Sequence, residues 1–151
     1  MSATKGDDQR LPGPRAVGQT RDVGFIIGAR KTFDVPPHLA WDALISADGI
    51  RLWLGEAPDL AFVPGARYRL PDDTVGELRV FEPGSHLRLT WQPPEWYRAS
   101  TIQLRTIPSR GKTAVSFHQE QLPDAVAHER MRQRWYDVLR DLAPPLAKRN
   151  A

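Results

Sequence analysis

From Asp124 to about Ala143 the large apolar side chains fall at Met131, Trp135, Val138, Leu139 and Leu142, three or four residues apart. On a helix they form one stripe, with Arg130, Arg132, Arg134, Asp137 and Arg140 mostly off it. The spacing predicts a long amphipathic helix that ends at Pro144-Pro145. A second proline disfavours the helical conformation at the first, and neither donates an amide hydrogen. Ahead of this helix the period changes to two. Leu78 and Val80 alternate with Glu77 and Arg79, and Leu87, Leu89 and Trp91 with Arg88, Thr90 and Gln92. Ile102 and Leu104 alternate with Thr101, Gln103 and Arg105, and Val115 and Phe117 with Ala114, Ser116 and His118. Pro83-Gly84 and Ser109-Arg110-Gly111 supply turns. Each run has one apolar and one polar side, the pattern of an antiparallel sheet wet on one face.

The first half completes the plan. Phe25, Ile27, Ala29, Lys31 and Phe33 alternate as a strand, and Pro36-Pro37 suits the opening of a helix, where a missing amide hydrogen costs little. Leu39, Ala40, Trp41, Ala43, Leu44 and Ile45 make a short helix, and Ile50, Leu52, Trp53 and Leu54 a second. Pro64-Gly65 turns into a strand over Ala66 to Leu70, and Pro71-Asp72-Asp73 reads as a hairpin tip. The predicted class is α+β: a curved antiparallel sheet wrapped around a long C-terminal helix, with two short helices after the first strand. Residues 1–22, rich in proline, glycine and mixed charge without periodicity, are expected to be a disordered tail. A single domain is expected over 24–147, with a short tail at 148–151.

Composition narrows the function. The 151 residues are 40% apolar and 26% charged, the profile of one soluble globular domain. No apolar run reaches the roughly 18 residues that would span a bilayer, so no membrane partner is expected. The first 24 residues carry no apolar signal core, which makes a cytoplasmic location the default expectation. The absence of cysteine excludes disulfides, thiolate catalysis and cysteine-ligated metals. The 21 Lys and Arg residues are nearly balanced by 18 Asp and Glu and are scattered, which argues against a nucleic-acid partner.

Four stretches resemble a known family. They are FDVPPHLAWDALISADGIRLW at Phe33 to Trp53, FVPGARYRL at Phe62 to Leu70, VGELRVFEPGSHLRLTW at Val75 to Trp91, and GKTAVSFHQEQLP at Gly111 to Pro123. Together with the helix carrying Trp135 and Leu139, they resemble the SRPBCC (START/Bet v 1-like) superfamily. More narrowly, they resemble the branch named for homologues of the activator of heat-shock protein 90 ATPase. The resemblance implies a helix-grip fold whose sheet and terminal helix enclose a cavity. Family members bind apolar or amphipathic small molecules there, some catalyse cyclisation or hydrolysis, and others act as protein-binding modules. Two positions depart from the family pattern. The histidine expected near the end of the sixth strand is Gln119, and the glycine two residues later is Gln121. Arg134 stands where a glycine commonly precedes the helix tryptophan.

No catalytic set emerges. His38, His86, His118 and His128 have no close metal-ligand spacing, so no metal or cofactor is expected. His118 is off parity and is expected on the outer face. No Gly-x-Ser-x-Gly elbow, phosphate loop or dinucleotide fingerprint is present. The expected cavity lining is Trp53 and Tyr68, then Val80, Leu89, Trp91, Ile102 and Leu104 by strand parity, with Phe117 and Gln119 from the sixth strand. Trp96 and Arg98 follow by the same parity through a proline-rich turn. His128, Met131 and Trp135 come from the helix. Plain core is the competing reading for Trp135 and Phe117, and solvent at the rim for Arg98 and for Glu82, its candidate partner. The leading expectation is a domain that binds a hydrophobic or amphipathic small molecule. A cavity enzyme of cyclase or hydrolase type is the alternative, disfavoured because no nucleophile and base can be placed together. A co-chaperone-like interaction module, with a homodimer or protein partner, is the third.

Overall fold

The computed structural model describes residues 19–20 and 24–150. Its elements in order are β1 (Gln19–Thr20), β2 (Gly24–Phe33), α1 (Pro37–Ile45), α2 (Ala47–Trp53), β3 (Arg67–Arg69), β4 (Val75–Glu82), β5 (His86–Trp91), β6 (Ser100–Ser109), β7 (Lys112–Leu122) and α3 (Ala125–Arg149). Among the described residues the strands form one antiparallel sheet in the order β1-β2-β7-β6-β5-β4-β3. Because β2 pairs with β7, the first long strand closes against the last, and β3 to β7 return as a meander. The curved sheet around a terminal helix predicted from the periodicities, and the helix-grip fold that the resemblance implies, are observed. β1 falls within the segment expected to be a tail and pairs with Gly24 and Phe25; residues 1–18 and 21–23 lie outside the described residues.

α2 and α3 start where a side chain can satisfy a free amide. The Ser46 hydroxyl accepts from Gly49 N at 3.1 Å and caps α2. Asp124 accepts from Ala127 N at 2.8 Å and caps α3. The apolar stripe of α3 is buried as predicted, with Met131, Trp135, Leu139 and Leu142 all at most 2% exposed.

Two local predictions fail for identifiable reasons. α3 does not stop at Pro144-Pro145 but continues to Arg149, through the residues expected to form a C-terminal tail. The prolines remove two helical hydrogen bonds, yet Leu146, four residues beyond Leu142 on the same stripe, is 1% exposed. The Asn150 side chain then donates to Asp34 O at 2.8 Å and ties down the end. The second failure is in β4, where a bulge shifts the register between Leu78 and Val80. Leu78 still faces Leu89, but Val80 now lies opposite outward Arg88, and Phe81 lies opposite buried Leu87. Phe81 accordingly packs inward, its ring stacked on Phe62 at 5.1 Å and tilted against Trp41 at 6.0 Å.

Candidate functional site

The space between the sheet and α3 holds a connected set of aromatic rings around one buried amide. Trp53, at the end of α2, donates its indole N–H to Leu44 O at 2.9 Å, and its ring is 6.1 Å from Phe117. Phe117, on β7, stacks on Trp135 with centroids 4.5 Å apart and planes 11° from parallel. Two residues further along the same face, Gln119 is 0% exposed. Its Oε1 accepts from Trp135 Nε1 at 3.0 Å, and its Nε2 donates to Ser100 Oγ at 2.9 Å. The Ser100 hydroxyl passes the chain on to Trp91 O at 2.7 Å. These bonds occupy one of the two amide hydrogens of Gln119. Leu89, Ile102, Leu104 and Met131 complete the same buried cluster.

At the end of β5, Trp91 meets Trp96 edge-to-face, with centroids 5.3 Å apart. The intervening Pro93-Pro94 turn is held by Gln92 Nε2 donating to Trp96 O at 2.9 Å. Tyr68 is buried beside this end and donates its hydroxyl to Thr90 O at 2.5 Å. Burial pushes its phenol far above the ordinary tyrosine range. Its ring lies against Gly76, where a Cβ would strike both Tyr68 and the Thr90 carbonyl.

Three residues expected in the lining lie elsewhere. Val80 is displaced by the bulge and is half-buried. Arg98 is exposed, its guanidinium 5.7 Å from the Tyr97 ring centre. Glu82, paired with His86 at the far end of the sheet, is not its partner. His128 is half-buried on the first turn of α3, its ring 6.2 Å from that of Phe25. His118 is opposite Gly28 and Gln103, off the parity of the buried Phe117 and Gln119.

Arg134 was placed off the helix stripe by spacing, but it lies at the stripe's border. It is half-buried, with its Nη2 donating to Trp53 O at 3.2 Å. Its guanidinium sits 5.5 Å from the Trp91 ring centre and 5.7 Å from that of Trp135. Burial lowers its proton affinity, and the charge of Asp72 only partly opposes this. The signal was present: Arg134 is three residues from Met131, a spacing that faces the same side of a helix.

The surface also carries open depressions. One of about 670 Å³ lies along β3 and β4 and is lined by Arg67, Tyr68, Arg69, Glu77, Thr90 and Gln92, together with residues 57–60. Another of about 500 Å³ lies between the short helices and the end of α3, by Leu52, Pro144, Pro145 and Lys148. A third, of about 320 Å³, borders Trp96, Tyr97 and Arg130. Among the described residues no cluster of three acidic or histidine side chains could hold a metal ion, and no helix is long and apolar enough to cross a membrane.

This frame of α3 gripped by the sheet is matched by a family model, Activator of Hsp90 ATPase homolog 1-like protein, over residues 34–146. The chain belongs to that family. Solved structures support the same fold. A Mesorhizobium loti protein is 22% identical with a TM-score of 0.70, over 82% of this chain and 97% of its own. An HSP90 activator from Plasmodium falciparum is 18% identical with a TM-score of 0.66, over 79% of this chain and 94% of its own. The Aha1 dimer of Colwellia psychrerythraea is 17% identical with a TM-score of 0.64, over 80% of this chain and 95% of its own. At these identities the structural likeness carries the fold and no more. No curated protein matches the chain by sequence.

Proposed function

We propose that this member of the Activator of Hsp90 ATPase homolog 1-like family is a cytoplasmic ligand-binding domain. Its ligand is a hydrophobic or amphipathic small molecule held between the sheet and α3. The observation that carries the reading is Gln119. A carboxamide in the middle of Phe117, Trp135, Ile102 and Leu89 is an expensive choice for a core, where an apolar side chain of similar size needs no partners. Its value lies in an amide hydrogen still to be committed, which suits the polar group of an otherwise apolar guest. Trp53, Leu89, Trp91, Ile102, Leu104, Phe117, Met131 and Trp135 are the proposed apolar lining, with Tyr68 and Trp96 at its edge. None of these side chains is more than 9% exposed, so binding requires the sheet and α3 to open. Met131, unbranched and adaptable, is the residue best suited to make room.

Catalysis finds less support. Tyr68 is held protonated by burial and its hydroxyl is committed to Thr90 O, while His128 packs beside Phe25 and Glu82 is exposed. A second reading, a protein-interaction module that pairs with itself or another protein, is favoured by the names of two structural relatives, the Plasmodium HSP90 activator and the Colwellia Aha1 dimer.

Native mass spectrometry of gently purified protein, followed by denaturing extraction, separates the two. A stoichiometric small molecule is the expected result. An empty protein that runs as a discrete dimer or with a defined protein partner would replace the ligand reading with the second one.

A further inference from the structure

Among the described residues Arg134 carries a half-buried charge that no carboxylate meets in a direct ion pair. Its Nη2 is used by Trp53 O, but its Nε is buried with no acceptor. The indole Nε1 of Trp91, whose ring lies under the same guanidinium, is also buried with no acceptor. Among the described residues Asp72 is the carboxylate whose charge reaches Arg134, but the two form no ion pair within 4 Å, and Asp72 accepts from Thr74 N at 3.0 Å. The Tyr68 hydroxyl donates to Thr90 O and bonds neither orphaned donor. Both orphaned groups are donors, so the missing partner is an acceptor. The unpaired cation beside them makes a negatively charged acceptor the best fit.

We propose that Arg134, with the Trp91 indole as a second donor, forms a subsite for the anionic head group, carboxylate or sulfonate in class, of an amphipathic ligand. The inference rests on the ligand-binding reading above and adds to it a ligand polarity and a residue. The apolar body of the ligand lies toward Phe117 and Trp135, and its charged end meets Arg134, where α3 passes the ends of β5 and α2. The rings of Trp91 and Trp135, 5.5 and 5.7 Å away, give the guanidinium an aromatic, partly buried setting that strengthens its bond to an anion. Arg98, expected in the lining by strand parity, is exposed and unsuited to this part.

Two fluorescent probes with the same ring skeleton provide the test. 1-Anilinonaphthalene-8-sulfonate carries the anion, and N-phenyl-1-naphthylamine lacks it. The full chain is expected to bind the sulfonate at least about tenfold more tightly than the neutral amine. Arg134→Met should abolish that preference and leave the affinity for the neutral amine unchanged. Arg98→Gln should alter neither. Arg134→Lys, which keeps the charge but loses the planar fork, should retain part of the preference, and it serves in place of Arg134→Met if that variant does not fold by circular dichroism. Equal affinity of the wild type for both probes would overturn the subsite and leave the ligand-binding reading standing. A preference that survives Arg134→Met, or that Arg98→Gln removes, would do the same. Failure of the wild type to bind either probe would overturn both.

Discussion

The indole of Trp135 is the most exacting test of the interior described above, because it makes two separable contributions. Its ring is 0% exposed and stacked on Phe117, and its N–H is the donor to Gln119 Oε1. Trp135→Phe keeps an aromatic ring in the stack and removes the donor, leaving a buried carbonyl without its partner at a cost of about 1–3 kcal/mol. Trp135→Ala removes the ring as well, for a total cost of about 3–5 kcal/mol. That is a large share of the about 5–15 kcal/mol by which such domains are stable. Urea unfolding followed by far-ultraviolet circular dichroism reads the difference, with the midpoint falling and the slope held constant. Gln119→Leu in the Trp135→Phe background removes the acceptor too and should recover most of the loss, a coupling characteristic of partners in direct contact. A Trp135→Phe variant as stable as the wild type would refute the hydrogen bond. A Trp135→Ala variant less than about 1 kcal/mol destabilised would refute the burial of the ring.

Gln121 occupies a left-handed conformation at φ +66°, where the family pattern has glycine. Gln121→Gly should therefore stabilise the protein by about 0.5–1 kcal/mol, and a lower urea midpoint would show that the side chain has a compensating role. Pro144→Ala combined with Pro145→Ala restores two helical donors in α3 and should add about 1–3 kcal/mol; an unchanged melting temperature would mean that the bonds cannot form there. Burial, reinforced by the Arg105 charge, lowers the pKa of His86, so the folded state favours the neutral ring. That stability is fully present above the unfolded value near 6.5 and is lost as pH falls through the lower folded value. His86→Asn should flatten the stability–pH profile over this window, and a profile still equally steep would assign the slope to other groups.

The parts of this protein legible in its sequence are those governed by neighbours in the chain. The stripe from Met131 to Leu142, the alternation in Leu87 to Trp91 and Ile102 to Leu104, and the prolines and glycines between them specify helix, strands and turns. They do so because side-chain direction follows backbone period. Parity also placed Gln119 inside and His118 outside, since a continuous strand carries its facing along without interruption. Tertiary packing decided the rest. The bulge in β4 exchanged Val80 for Phe81, because Trp41 and Phe62 offered a ring-lined site that no local pattern announces. α3 runs through two prolines because Leu146 and Asn150 find partners in distant segments of the chain. Arg134 reads as one more surface charge along the helix, and it becomes a candidate binding group only where Trp91 and the Trp53 carbonyl, far away in sequence, close around it. Periodicity records which way a residue faces; what it meets there is set by contacts across the fold.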